Sequence, residues 1–335
     1  MSKQGIFIVS LDFELNWGVH DVYTSGKYQE NILGVRQAIP KILELFQHFD
    51  IHATWATVGM LFFDNKKTLL ANLPNLYPSY TNVALSPYDK LESLGENEEQ
   101  DPLHFGASLI NEIMDYPNQE LATHTFSHYY CLEAGQTAEQ FEADVKASVQ
   151  IAEEIGQSTQ SIVFPRNQIN NDYLHVCKAN GIQSFRGHED SWVYQVGPYH
   201  KEGILKRMLR LADCYIPIFG DHTYRIDEVA TEPIVNLPSS CFLRPYHASL
   251  KSFDSLRLRR IKKSITNAAK KGEVFHLWWH PHNFGKDIDS NIRFLSEVLI
   301  HVAAMRDQYG LTSLTMAEAS TLALQVKDSL TLKGD

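Results

Sequence analysis

Apolar residues follow two different periods along this chain. Short, nearly continuous apolar runs, such as residues 5–11 (GIFIVSL), predict strands that are buried on both faces, as in a parallel sheet covered by helices. Longer segments repeat their apolar positions about every 3.6 residues, as at Val35, Ile39, Ile42 and Phe46, and predict amphipathic helices. The two kinds of segment alternate, which indicates an α/β protein with a parallel sheet and crossover helices.

The predicted strands cover residues 5–11, 51–59, 120–123, 161–165, 182–185, 233–237 and 274–279. The main predicted helices cover residues 34–49, 138–155, 256–271 and 291–306. About seven strands suit a closed or nearly closed barrel as readily as an open sheet. Residues 73–105 and 187–232 do not follow this alternation. We expect residues 73–105 to be an insertion over one end of the barrel. Residues 187–232 are expected to be a long connection that contains a basic helical piece at 201–211. Both would belong to one domain spanning residues 1–335.

Composition and charge narrow the class of protein. The 335 residues are 44% hydrophobic and 21% charged, as in an ordinary globular chain. Thirty basic against forty acidic residues give a net charge of −10, which argues against general nucleic-acid binding. The four cysteines are widely spaced and predict buried free thiols. Without an apolar run of membrane-spanning length or a signal-peptide stretch before Asp12, we expect a soluble cytoplasmic protein.

Two histidines follow the third predicted strand, where parallel α/β proteins carry their active residues. His124 and His128 are four residues apart, so one helical turn would place both imidazoles on one face. A carboxylate from another strand end would complete a three-ligand site suited to Zn²⁺, Fe²⁺, Co²⁺ or Ni²⁺. The alternative is coincidence, because a chain with fifteen histidines produces such pairs by chance.

Carboxylates and a basic group stand at other strand ends. Asp12 and Glu14 end the first strand, and holding both there is costly unless a cation or proton lies between them. Otherwise one caps the next segment and the other pairs with a surface lysine. Arg166, after the fourth strand, either forks onto a carboxylate or is an ordinary surface arginine. His280 ends the last strand and is either functional or a satisfied core histidine; we expect His282, two residues on, to be solvated or bonded to the rim.

These motifs, in order, resemble the polysaccharide deacetylase superfamily (NodB homology, carbohydrate esterase family 4). Asp12-Phe13-Glu14 looks like the family's first motif, usually two aspartates, and residues 53–59 (ATWATVG) resemble its second strand. His124-Thr125-Phe126-Ser127-His128 matches its H-[ST]-x-x-H metal motif, and Trp279-His280-Pro281 is similar to its last motif. The resemblance covers about three fifths of the chain in scattered pieces. It implies a distorted (β/α)7 barrel.

The resemblance also implies a mechanism and the residues that carry it. Glu14, His124 and His128 would hold a divalent metal, with Zn²⁺ preferred and Co²⁺, Ni²⁺ or Fe²⁺ also suitable. Asp12 would be the general base and His280 the acid for the leaving nitrogen. The family's Arg-x-Pro motif is replaced by Pro165-Arg166-Asn167, and its Asp-x-x-Asp-Trp segment by residues 188–192. Arg166 or Asp190 would hold Asp12 or His280 in the required ionisation state.

The implied reaction is removal of an N-acetyl or similar N-acyl group from a sugar or glycan intermediate. A rival is a metal-independent or ureide-type amide hydrolase of the same superfamily, although both metal-motif histidines are present. A second rival is an inactive glycan-binding protein on the same scaffold. Residues 256–271 could instead dock on a membrane surface, but we expect their apolar positions 258, 261, 265 and 268 to pack on the barrel.

Overall fold

A nine-stranded sheet forms the centre of this computed structural model, which describes residues 4–22, 26, 28–197 and 203–334, the last five by backbone alone. The strands are β1 (Ile6–Phe13), β2 (Ala53–Thr57), β3 (Gln119–Thr123), β4 (Ser161–Ile162), β5 (Ser184–Phe185), β6 (Val235–Asn236), β7 (Cys241–Phe242), β8 (Val274–Trp279) and β9 (Thr312–Leu314). Their order is β6-β5-β4-β3-β2-β1-β8-β7, and β9 pairs with β1. Within the described ranges the end strands β6 and β7 are not paired, so the parallel sheet is a curled half-barrel.

Nine α-helices of the described segments surround the sheet. They are α1 (Gln29–His48), α2 (Lys66–Ala71), α3 (Ala107–Met114), α4 (Ala138–Glu154), α5 (Leu174–Ala179), α6 (Ile204–Asp213), α7 (Asp254–Lys271), α8 (Ile288–Tyr309) and α9 (Met316–Gly334). All seven predicted strands and the four main predicted helices are present. The basic helical piece predicted at 201–211 corresponds to α6. Residues 201 and 202 lie outside the residues that the structure describes. The apolar pattern did not predict the strands β7 and β9 or the helices α2, α3, α5 and α9.

Alternation along β1 and β8 separates two apolar layers. Phe7, Val9 and Leu11 face the helix layer, together with Phe275 and Leu277 of β8. Ile6 and Ile8 point to the other side, the concave interior of the half-barrel. There they pack in one cluster with Met316, Ala319 and Ala323 of α9. Because Ile6 and Ile8 belong to the amino end of β1, α9 fills that end of the interior and the carboxyl end is left for polar groups.

Strand register places the ends of several strands side by side. Leu11 pairs with Trp279, so the next residues, Asp12 and His280, leave neighbouring strands together. On the other side of β1, Phe13 pairs with Thr57 of β2, and Thr57 pairs with Thr123 of β3. The polar segments 12–14, 124–128 and 280–282 therefore meet at one rim of the half-barrel.

Part of the segment 73–105 lies against this rim. Asn16 donates its backbone N–H to Leu103 O at 3.1 Å, and Trp17 Nε1 donates to His104 O at 2.8 Å. The apolar positions 261, 265 and 268 of α7 are buried, which confirms that this face packs on the sheet. The four cysteines are buried and unpaired. Across the described ranges, every helix is too short or too polar to cross a lipid bilayer.

Candidate active site

Asp12 and Glu14 lie at the carboxyl end of β1, and each is almost fully buried. Burial opposes ionisation of both groups, but cationic and hydrogen-bonding partners outweigh it. The Arg186 guanidinium, with His280 and His124 nearby, holds the pKa of Asp12 below its usual value. His280, His124 and His128 hold the pKa of Glu14 well below its usual value. Both carboxylates are therefore charged at neutral pH, and each faces a different cation or donor.

Glu14 is the carboxylate that meets the two histidines. Its Oε2 lies 3.0 Å from His128 Nε2 and 3.3 Å from His124 Nε2. The two imidazole centroids are 5.0 Å apart. Burial lowers the pKa of His128 to about 4, so that ring is neutral. Of the described residues, Glu14, His124 and His128 are the group whose ligand atoms could hold a metal ion, all within 4.8 Å of one another.

The His124–His128 segment is a loop, so the helical turn expected from the spacing is wrong. Thr125 (φ 63°) and His128 (φ 59°) adopt left-handed backbone conformations, which a β-branched threonine rarely does. Asp144 of α4 holds the loop in this shape. Its carboxylate accepts the backbone N–H of Phe126 at 2.6 Å, the backbone N–H of Ser127 and the Ser127 hydroxyl. The loop brings the two imidazoles together because Asp144 replaces the hydrogen bonds that a helix would supply.

Arg186 is the partner of Asp12, and the sequence analysis did not identify it. It follows β5 and is fully buried. Its Nη1 and Nη2 donate to the two Asp12 oxygens at 2.7 and 2.8 Å, a forked ion pair. Nη1 also donates to Ser10 Oγ at 3.1 Å, and Nη2 donates to Asn167 Oδ1 at 2.9 Å. Because the sheet curls, the end of β5 faces the end of β1 across the interior.

Arg166 and Asp190, the two groups expected to hold Asp12 or His280, lie elsewhere. Arg166 Nη2 binds the Asp21 carboxylate at 2.6 Å, and its guanidinium lies over the Tyr130 ring. Asp190 is exposed to solvent. The buried carboxylate of that segment is Glu189, which accepts Trp278 Nε1 at 3.5 Å. The contact expected of Arg166 is made by Arg186, which leaves a different strand.

His280 lies at the open side of the site. Its Nε2 is 3.6 Å from Asp12 Oδ2 and 3.7 Å from Glu14 Oε1, and about a quarter of its side chain is exposed. His282 is buried, and its Nδ1 lies 3.8 Å from Glu14 Oε1. Of the two expectations for His282, that it is solvated or bonded to the rim, the first is therefore wrong. The short helical turn at Pro281–Phe284 directs His282 back under His280, and the two rings stack with centroids 4.9 Å apart.

Comparison with known proteins agrees with this geometry. The family model for polysaccharide deacetylases matches residues 28–185, which include the His124–His128 loop. The matched segment is a little under half of the chain, and it shows that this chain resembles the polysaccharide deacetylase superfamily. The match supports a hydrolase that acts on amide C–N bonds. A search of curated proteins finds no match to the chain.

Solved structures share the fold of this chain at low sequence identity. A protein from Mycobacterium smegmatis, assigned provisionally as a polysaccharide deacetylase, is 15% identical with a TM-score of 0.57; the match covers 98% of this chain and 92% of that one. PuuE allantoinase is 10% identical with a TM-score of 0.56, covering 95% and 90%. A family 4 pseudoenzyme from Bacillus anthracis is 10% identical, covering 95% and 66%, but its TM-score of 0.42 carries no argument about activity. The expected NodB-like barrel is confirmed.

Arg186, which the sequence analysis missed, could have been identified from the sequence. Residues 182–185 were predicted as a strand, and Arg186 is the next residue. The rule that active groups follow strand ends therefore applied to Arg186 as it did to His124 and His280. Asp144 gave no such signal, because it lies in the middle of a helix and acts through the backbone of a loop.

Proposed function

We propose that this chain is a metal-dependent hydrolase that removes an N-acetyl or similar N-acyl group from a sugar or glycan. The observation that carries the proposal is the division between the two carboxylates at the end of β1. Glu14 faces two imidazoles, whereas Asp12 is held by the Arg186 fork and faces His280. Amide hydrolysis needs these two functions side by side: a metal site and a separate base and acid.

The donor set of Glu14, His124 and His128 fits a divalent ion. His124 Nδ1 lies 2.8 Å from Val163 O, a contact that leaves the proton on Nδ1 and the Nε2 lone pair free. Nε2 is buried and has no hydrogen-bond partner among the described residues. One carboxylate and two imidazoles suit Zn²⁺, and also Co²⁺, Ni²⁺ or Fe²⁺. A bound ion would supply Lewis acidity to the amide carbonyl and to water.

Asp12 is the proposed general base. Each of its oxygens accepts one hydrogen bond from Arg186, and a carboxylate oxygen has a second lone pair. Asp12 can therefore take a proton from water without leaving the arginine. The fork fixes the orientation of the carboxylate, because rotating it would break both hydrogen bonds.

His280 is the proposed acid. Its Nε2 lies 3.6 Å from Asp12 Oδ2 at the partly exposed side of the site, where a leaving amine could reach it. The base and the acid are therefore adjacent: Asp12 takes a proton from water, and His280 donates a proton to the departing nitrogen. His282 is stacked beneath His280 and limits the directions in which the ring can turn.

The proposal is tested with two variants of the neighbouring carboxylates. Asp12→Asn should keep the metal and lose turnover, whereas Glu14→Gln should lose metal as well. Metal content is measured by elemental analysis, and acetate release from N-acetylated sugars reports turnover. Asp307→Asn, an exposed change on α8, is the control. Metal loss in the Asp12 variant with retention in the Glu14 variant would mean that the two roles are reversed.

The substrate panel separates the proposal from its rivals. An active sugar N-deacetylase releases acetate from N-acetylated sugars and leaves small ureides intact. Cleavage of a ureide alone would favour the ureide-type hydrolase. Binding of glycans by a metal-loaded protein that cleaves nothing would favour the inactive scaffold.

A further inference from the structure

A cavity of about 310 Å³ lies near the proposed acid, His280. Phe242 of β7 and Trp278 of β8 form part of its wall. The same two rings contact the His280 imidazole, with centroids 6.0 and 5.7 Å away. The cavity and His280 therefore share two aromatic neighbours.

The wall of this cavity is unusually basic for a chain with a net charge of −10. Its arginines are Arg166, Arg210, Arg244 and Arg260, and the carboxylate on its wall is Glu189. Burial raises the pKa of Glu189, so its negative charge is disfavoured. Two of these arginines have an anionic partner inside the protein. Arg166 binds Asp21, and Arg260 binds Asp213 at 2.7 Å.

Arg244 differs from these two arginines, because in the described part of the chain no carboxylate neutralises its charge. Its Nε lies 3.0 Å from the Cys214 sulfur, and its guanidinium lies 5.9 Å from the centre of the Phe242 ring. No described carboxylate forms an ion pair with it. Arg244 is only partly buried, so its Nη atoms remain available at the cavity wall. A half-buried, uncompensated guanidinium presents a fork of donors that matches a phosphate or carboxylate.

We propose that this cavity binds an anionic group, phosphate or carboxylate, carried by the same sugar whose amide is cleaved beside His280. The inference rests on the proposed function, because it assigns the cavity to the substrate of that site. Arg244 supplies the forked donor for this group. Phe242 and Trp278 line the cavity and also contact His280, so a sugar that spans the two would pass these rings.

The experiment compares three probes by calorimetry: N-acetylglucosamine, N-acetylglucosamine 1-phosphate and N-acetylglucosaminuronic acid. The wild-type protein should bind at least one anionic probe about tenfold or more tightly than the neutral sugar, as expected for charged hydrogen bonds. Arg244→Gln should abolish this difference and leave the neutral sugar unchanged. Arg293→Gln removes an exposed charge on α8 and should change nothing. Arg244→Lys, which keeps the charge but not the fork, should retain part of the preference.

Each result has a defined meaning once unfolding midpoints show that the variants are folded. A preference for the phosphate probe or for the carboxylate probe identifies the source of the anion. Equal binding of all three probes, no binding of either anionic probe at millimolar concentration, or an unchanged preference in Arg244→Gln would overturn the inference. Arg244-dependent binding without any acetate release would refute the proposed hydrolase and leave the anion site standing.

Discussion

Two neighbouring carboxylates of this chain acquire different chemistry because different partners face them. Asp12 and Glu14 are two residues apart, yet one meets a guanidinium from β5 and the other meets two imidazoles after β3. The sequence predicted both carboxylates as functional, but spacing alone could not say which cation each would meet. That assignment depends on the curl of the sheet, which brings β5 across to β1.

The buried Arg186–Asp12 pair leads to a prediction about stability. Arg186→Met leaves the Asp12 carboxylate buried without its forked donor, which should cost about 3–5 kcal/mol of unfolding free energy. The double variant Asp12→Asn/Arg186→Met removes the stranded charge and should recover part of that loss. Urea unfolding of both variants and of Asp12→Asn measures the coupling. Additive effects of the two changes would show that the pair contributes nothing as a unit.

The two stacked histidines lead to a prediction about turnover. His280→Ala should lower turnover by about two to four orders of magnitude while metal content stays normal, because a general acid is lost. Substrates with a better leaving group should be affected less. His175→Ala, an exposed change on α5, is the control. Equal losses for ordinary and activated substrates would transfer the role of acid to His282, whose Nδ1 lies 3.8 Å from Glu14.

Among the elements, those that repeat a period over many residues were predicted well and those that depend on distant partners were not. The long helices α1, α4, α7 and α8 follow their apolar faces. β7 has two residues and β9 has three. The strands β4, β5 and β6 are as short, but they lie inside the predicted runs 161–165, 182–185 and 233–237, whereas no predicted run marked β7 or β9. α9 buries small residues, Ala319 and Ala323, inside the half-barrel. Small buried residues stand out little from polar ones, so such a helix resembles a surface helix in sequence. Its partners Ile6 and Ile8 lie at the other end of the chain.

The loop after β3 shows how one helix can control a site that it does not enter. Asp144→Ala removes the acceptor for the N–H groups of Phe126 and Ser127. Leaving these donors unsatisfied should cost about 1–3 kcal/mol each and allow the two histidines to separate. We expect metal affinity to fall by about tenfold or more, measured by competition with a chelator. Glu142→Ala changes a partly exposed carboxylate on the same helix, which pairs with Lys146, and should leave metal affinity unchanged.

For the whole molecule, buried neutral histidines predict a loss of stability in acid. Burial lowers the pKa of His276 to about 3, and of His188 to about 4, against 6.5 for a free side chain. Below pH 6.5 these histidines therefore bind protons in the unfolded chain but stay neutral in the folded chain. The histidine contribution to stability is complete above pH 6.5 and is lost progressively as the pH falls toward 3, at about 1.4 kcal/mol per pKa unit for each group.

His276 provides the test of this pH dependence. Its Nε2 lies 2.8 Å from Ser10 Oγ inside the half-barrel. His276→Gln keeps a polar side chain of similar length but cannot be protonated. Denaturant unfolding between pH 7 and pH 4 should show a shallower decline for this variant than for the wild type. Parallel curves would mean that His276 does not take part in the acid loss. Asp144 acts in the opposite sense, because burial raises its pKa to about 6.

The pairing of β1 has a consequence for how the chain is made. β1 pairs along one edge with β8 and along the other with β9 and then β2, so two of its three partners are more than 250 residues further along the chain. During synthesis the apolar strand IFIVSLDF leaves the ribosome long before β8 and β9 exist. Closing contacts over such separations is slow, and an unpaired apolar strand is prone to aggregate. We therefore expect this segment to be the part of the nascent chain that chaperones must hold.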